Sequence, residues 1–396
     1  MLIKNISLLL GKELEFVSKT NVQIQNGRFK RIQPNINPSG KEDSVDCEGL
    51  LMIPGFINAH THIGDSIGKD VTLESSVDKK IHPVFGAKSK ILKNTPPENL
   101  SNFMKNTCHS MIRKGITTFV DFREGGLDGV VLLKKTLSEI PIRSIILGRV
   151  DFYQNPSEIK KNLPIPKEKS QELPAIIQKC DGIGVSGANE NSTSVLNHYS
   201  KTSKIRAIHS AETKQSVSRS KKMTGKSEVI RALSMKPHFL VHMTHASKSD
   251  LHVAAKKIRG IVVCPRANSS LAEGIPDVVS MQKAGCTLAL GTDNVMINSP
   301  DMFREMDYLW KVTMGLHKKR INPKEILKMA TVNGGKILKK DIGVIETKKI
   351  ADCVFLNKHA LDLEPMHEPY ASIVHRASES AVQAVMIGGK IVHGQI

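Results

Sequence analysis

Short apolar runs alternate with helical patterns through the middle of this chain, and that alternation restricts the fold more than any other feature. One apolar run ends at His60, and others span 116–122, 143–150, 182–187, 205–209, 239–242, 260–264 and 287–292. Helical or mixed segments follow each of them. Over 98–114, Met104, Cys108, Met111 and Ile112 recur at helical spacing, and Gly115 ends the pattern. Similar segments cover 128–137, 192–199, 247–257 and 278–284. Strand–helix alternation implies parallel strands. Eight such units predict an α/β fold of the (β/α)8 TIM-barrel type. The Pro- and Lys-rich stretch 155–174 reads as a polar surface excursion.

The two ends have a different texture. Leu2, Ile3, Ile6, Leu8 and Leu10 give short apolar runs, and Asn26-Gly27 reads as a hairpin turn between 22–24 and 29–32. Near the C-terminus, 351–356 and 382–387 are strand candidates. Gly388-Gly389 is the turn into a return strand at 390–393. Both ends together predict a small β-sandwich from 1–53 plus 343–396, with the barrel occupying 54–342.

Charge raises a second question. Lys and Arg total 57 against 38 Asp and Glu, a formal net charge of +19. A nucleic acid or anionic membrane is one reading of such a balance. The lysines are scattered along the chain, however, and aromatics are only 4%, which leaves little material for stacking bases. A small-molecule substrate is therefore expected, with no nucleic acid and no membrane. An anionic substrate would be favoured electrostatically, but net charge does not identify one. The pattern is compatible with a homo-oligomer. Cys47, Cys108, Cys180, Cys264, Cys286 and Cys353 lie far apart with no C-x-x-C pair, which argues against a zinc ribbon or a disulfide scaffold. The first residues lack a basic leader followed by a long apolar region, and no stretch reaches membrane-span length. A cytoplasmic enzyme is the expectation.

In a barrel, the chemistry collects at the C-terminal ends of the strands. The first run ends His60-Thr61-His62. Residues two apart on a strand share a face, so both imidazoles can aim at one point. An isolated H-x-H more often belongs to packing than to a metal. The other strand ends change that balance. His209 ends one run with Glu212 three residues on; His242 ends another, followed by His245; Asp293 ends the last. Histidines and acids at four strand ends are hard to explain as packing, and a buried unpaired Asp is costly. A metal at these strand ends removes that cost and gives the Asp a reason.

These pieces resemble the amidohydrolase superfamily, most closely its deaminase branch of cytosine, guanine and S-adenosylhomocysteine deaminases and triazine hydrolases. The resemblance covers nearly the whole chain. It rests on PGFINAHTH at 54–62, RKGITTFVDF at 113–122, HSAE at 209–212, VH at 241–242, VVCPRANSSL at 262–271 and LGTDN at 290–294. ATVNGGKIL at 330–338 and ADCVFL at 351–356 match its C-terminal elements. The resemblance implies one divalent metal, zinc or alternatively Fe2+, on His60, His62, His209 and Asp293. It implies Glu212 as the acid that shuttles protons to a substrate ring, and His242 and Asp293 as partners of the attacking water. His245 competes with His242 but reads better as a pocket-wall residue. Hydrolytic deamination of an aminated heterocycle or nucleoside, with release of ammonia, is the implied reaction. Opening of a cyclic amide, or cleavage of another C–N or a C–Cl bond, is the alternative.

Two departures matter. Family members with two metals usually bridge them with a carboxylated Lys at strand four; 181–190 contains no Lys, which implies a single metal. The deaminase pattern H-C-P-x-S-N is here Val263-Cys264-Pro265-Arg266-Ala267-Asn268. Arg266 and Asn268 become candidate substrate contacts, Arg266 through a carboxylate or phosphate, although a plain solvent-facing Arg is an equal reading.

Overall fold

The computed structural model describes residues 1–36, 43–71 and 76–396. Nine strand segments form one parallel sheet. They are β1 (Phe56–His62), β2 (Ile116–Arg123), β3 (Arg143–Gly148), β4 (Gly182–Val185), β5 (Ile205–Ser210), β6 (Phe239–His242), β7 (Gly260–Val263), β8 (Leu288–Leu290) and β9 (Asp293–Asn294). Each pairs with the next from β1 to β8, and β9 pairs with β1 on its other side. The sheet is therefore curled. Burial explains the composition: all residues of β1 and β2 are buried, as expected of parallel strands covered on both faces.

The eight apolar runs of the sequence all appear as strands, with ends that differ by up to a few residues. The last is split. β8 pairs with β7, the chain bends at Gly291-Thr292, and β9 pairs Asp293 with Thr61 and Asn294 with His62. A Cβ on Gly291 would stand 2.7 Å from the His60 Cβ, so only glycine lets the bend close against β1. This bend delivers Asp293 to the histidines.

Both chain ends share a second sheet. Leu50–Pro54 runs parallel to Leu2–Leu10 on one side and antiparallel to Cys353–Asn357 on the other. Its core includes Ile3, Leu8, Val22, Phe29, Met52 and Phe355. The expected Asn26-Gly27 hairpin forms, with both residues at positive φ (51° and 72°), as a two-residue turn of this kind requires. The continuous apolar run 51–62 serves two sheets, broken at Gly55. A Cβ there would lie 2.3 Å from Thr117 Oγ1. The stretch 155–174 is not a plain polar loop: it holds the helix Pro156–Lys160 and most of Lys167–Lys179. Asn155 and Glu158 form a reciprocal capping box that starts the first of these helices. Among the described residues, no helix is long and apolar enough to cross a membrane.

Candidate metal centre

Four side chains from three parts of the curled sheet converge. His60 Nε2 lies 3.2 Å from His209 Nε2 and 3.1 Å from Asp293 Oδ1. His62 Nε2 lies 3.4 Å from His209 Nε2 and 3.6 Å from Asp293 Oδ1. Burial pushes His60 down to about 3 and His209 well below the ordinary histidine range. Both rings are therefore neutral, the form that ligates a metal. Burial acts to raise Asp293, but its hydrogen bond and charge interaction with His60 hold it below the usual carboxylate range.

This packing makes poor sense without a cation. Imidazole nitrogens facing one another at 3.2–3.4 Å place lone pair against lone pair, or leave one N–H among three acceptors. Asp293 Oδ2 is buried with no hydrogen-bond partner, which is expensive for a carboxylate. A tetrahedral zinc with bonds of about 2.0–2.1 Å would separate its donors by roughly 3.3 Å. The observed separations bracket that value, and a three-nitrogen, one-oxygen donor set suits the ion. The residues fit the group.

The surroundings hold the donors in place. The Phe122 ring sits edge-on beneath His60 and His209, with centroids 4.4 and 4.9 Å away. Gly184 on β4 makes room for it, since a Cβ there would meet Phe122 Cδ1 at 2.7 Å. Asn58 clasps Thr292, donating to its Oγ1 at 2.7 Å and accepting from its backbone N–H at 3.0 Å. His209 Nδ1 donates to the Val185 carbonyl at 2.9 Å, and His62 Nδ1 donates to Glu124 Oε1 at 2.8 Å.

Beside the donors, Glu212 Oε2 lies 3.6 Å from His242 Nε2. Burial raises the Glu212 carboxyl to about 7, against the pull of His242. Its Oε1 is buried without a partner. Glu212, His242, His62, His209 and Asp293 all line one open cavity. His242 and His245 are separated clearly. His245 Nε2 donates to the Glu273 carbonyl at 2.6 Å, while His242 Nδ1 faces Asn268 Oδ1 at 3.4 Å. His242 and Met243 both take positive φ (71° and 58°), an uncommon backbone for such residues.

Arg266 and Asn268, the two candidate substrate contacts, are engaged by other protein groups. Pro265 opens the helix Pro265–Ser270, and Arg266 turns to Glu305, with Nη1 3.4 Å from Oε2 and its backbone N–H on Oε1 at 2.9 Å. Asn268 is fully buried behind His242. Neither lines the cavity. The strand-four segment contributes Ser186, Gly187, Asn189 and Glu190 to the cavity wall, and no Lys. Sequence reasoning missed Lys88, Glu124 and Arg149, which gather next to His62. Glu124 is raised by burial but held well below its ordinary range by Lys88, His62 and Arg149. Two of the three follow directly on strands, at the ends of β2 and β3, which is the signal that exposed the other site residues.

A family model described as "Amidohydrolase family" matches residues 51–392. A putative aminohydrolase of Methanothermobacter thermautotrophicus is 36% identical, with 99% of each chain covered. A 5-methylthioadenosine/S-adenosylhomocysteine deaminase of Thermoanaerobacter pseudethanolicus is 31% identical over 99% of this chain and 93% of its own. Among solved structures, atrazine chlorohydrolase TrzN from Arthrobacter aurescens TC1, complexed with zinc, superposes with a TM-score of 0.87. It covers 99% of this chain and 95% of its own at 14% identity, a likeness of fold.

Proposed function

The chain belongs to the amidohydrolase family, and on that premise we propose that it is a metal-dependent hydrolase that deaminates an aminated heterocycle or nucleoside. The observation that carries this reading is the convergence of three imidazoles and Asp293, with the Glu212–His242 pair alongside. The relatives named as deaminases support it. We read the metal as one zinc ion, held by His60, His62, His209 and Asp293. We also read the curled sheet as a closed (β/α)8 barrel over 54–342, with 1–53 and 343–396 as its β-sandwich companion.

A divalent cation there supplies Lewis acidity, which brings the pKa of a water molecule down to about 7. The protein's own groups do the rest. Asp293, through its unpartnered Oδ2, and His242 orient the water and draw off its proton. Glu212, protonated in the buried site, gives its proton to the ring nitrogen beside the carbon under attack. Having become a carboxylate, it then takes the proton of the newly added hydroxyl and delivers it to the leaving amino group, and the proton drawn from the water onto Asp293 and His242 returns to Glu212. The C–N bond breaks, a carbonyl replaces the amino group, and ammonia departs.

The test is ammonia release across purines, pyrimidines, pterins and adenosyl compounds, using protein of known metal content. Ammonia from at least one aminated ring supports the reading. Chloride or a ring-opened product without ammonia, from an extended panel, overturns deamination in favour of another hydrolysis on the same site.

A further inference from the structure

We propose that Glu124 is a positioning residue for the metal ligand His62, and that Lys88 is the ion partner that fixes Glu124 in that role. The inference rests on the reading of the histidine cluster as a metal centre. The three imidazoles differ in how their second nitrogen is held. His60 Nδ1 is buried with no partner. His209 Nδ1 meets a backbone carbonyl. Only His62, among the described residues of the cluster, turns its Nδ1 to a carboxylate, donating to Glu124 Oε1 at 2.8 Å, with the Phe122 carbonyl sharing the proton at 3.1 Å. A carboxylate on the far nitrogen fixes the tautomer and the ring direction, and makes the ligating nitrogen more basic.

Glu124 is itself tightly enclosed. Lys88 Nζ lies 2.6 Å from Oε1, Arg149 Nη2 3.4 Å from Oε1, and Arg123 Nη2 3.5 Å from Oε2. Lys88 reaches in from the helix Ala87–Asn94, in the segment between β1 and β2. It also lies 3.6 Å from Asp65. That carboxylate accepts from Asn294 Nδ2 at 2.7 Å and from the Met296 N–H at 3.0 Å, just beyond Asp293. One buried ammonium thus ties the helix to the chain beside two metal-binding residues. The same Lys88 lines the cavity. A carboxylate present only to neutralise Lys88, Arg149 and Arg123 would need no contact with His62; the 2.8 Å hydrogen bond is what that simpler role leaves unexplained.

Zinc affinity measured by chelator competition on the full chain tests this, for wild type, Glu124→Gln, Lys88→Met and the double variant, alongside melting curves of the metal-free proteins. Loss of such a partner typically weakens metal binding 10- to 100-fold. Glu124→Gln is expected to show that loss. Lys88→Met should lose less, and the double variant no more than Glu124→Gln alone, because Lys88 acts through Glu124. Affinity within twofold of wild type in folded Glu124→Gln, with or without a lowered melting temperature, overturns the role of Glu124. Additive losses in the double variant overturn the role given to Lys88. Should Glu124→Gln alone fail to fold because of its unbalanced cations, the double variant carries the same twofold criterion. A wild-type protein that binds no zinc defeats the metal-centre reading itself, a result distinct from a tight-binding wild type with an equally tight Glu124→Gln.

Discussion

Replacing Phe122 with Ala should separate the stability of the fold from the geometry of the metal centre. Phe122 is completely buried, and truncating such a ring costs about 3–5 kcal/mol. Unfolding entropy of about 2.1 cal/mol/K per residue gives a chain of this length roughly 0.8 kcal/mol/K. The melting temperature should therefore fall by about 4–6 °C. The ring also makes two edge-on contacts with the His60 and His209 imidazoles, at 4.4 and 4.9 Å. Such contacts contribute about 0.5–1.5 kcal/mol each. Losing both frees His60 and His209 to turn, and should weaken zinc binding roughly 5- to 150-fold. Phe355→Ala is the matched control. That ring is equally buried but belongs to the terminal sheet. It should lower the melting temperature of the metal-free protein by a similar amount and leave zinc affinity unchanged. Calorimetry and chelator competition read the two quantities. Equal zinc affinities in the two variants would refute the idea that Phe122 orients the ligands.

Other consequences follow from the same geometry. Glu212→Gln should keep full metal content by elemental analysis and lose turnover at least 100-fold; full activity would remove Glu212 from the mechanism. His209→Ala should lose most bound metal, and unchanged content would sink its assignment as a ligand. On the proposed mechanism Glu212 is the acid; burial raises it to about 7 from the ordinary carboxylate range, so it carries its proton below that pH and loses it above. A nearby cation favours the charged form and moves this point down. kcat/KM should thus fall about tenfold per pH unit on an alkaline limb centred at or below pH 7. A limb centred above pH 8 would contradict the assignment. Glu273→Gln removes one of the charges that raise Glu212 and should move the limb to lower pH.

The barrel-like strands were legible because parallel strands covered on both faces need apolar runs, and each of β1 to β8 carries one. The donors were legible because each sits where an apolar run stops. Strand pairing across the molecule was not. The run 51–62 reads as one element, and only the crowding of Gly55 against Thr117 explains why it serves two sheets. Asn155 and Glu158 carried a capping signal that was available in the sequence and outweighed by the Lys and Pro around them. Arg266 was placed near the pocket by its position after β7, but its direction is decided by Glu305, 39 residues away. Lys88 and Glu124 are likewise separated by 36 positions in the chain and joined only by the fold. A charged residue following a strand identifies a candidate; its partner comes from elsewhere.

The most direct test of the central claim is ammonia release measured on one preparation as purified, after chelation, and after zinc is restored. A metal-dependent deaminase built on His60, His62, His209 and Asp293 should release ammonia from an aminated heterocycle, stop when the metal is removed, and recover with about one zinc per chain. Ammonia release that survives complete removal of the metal would contradict it.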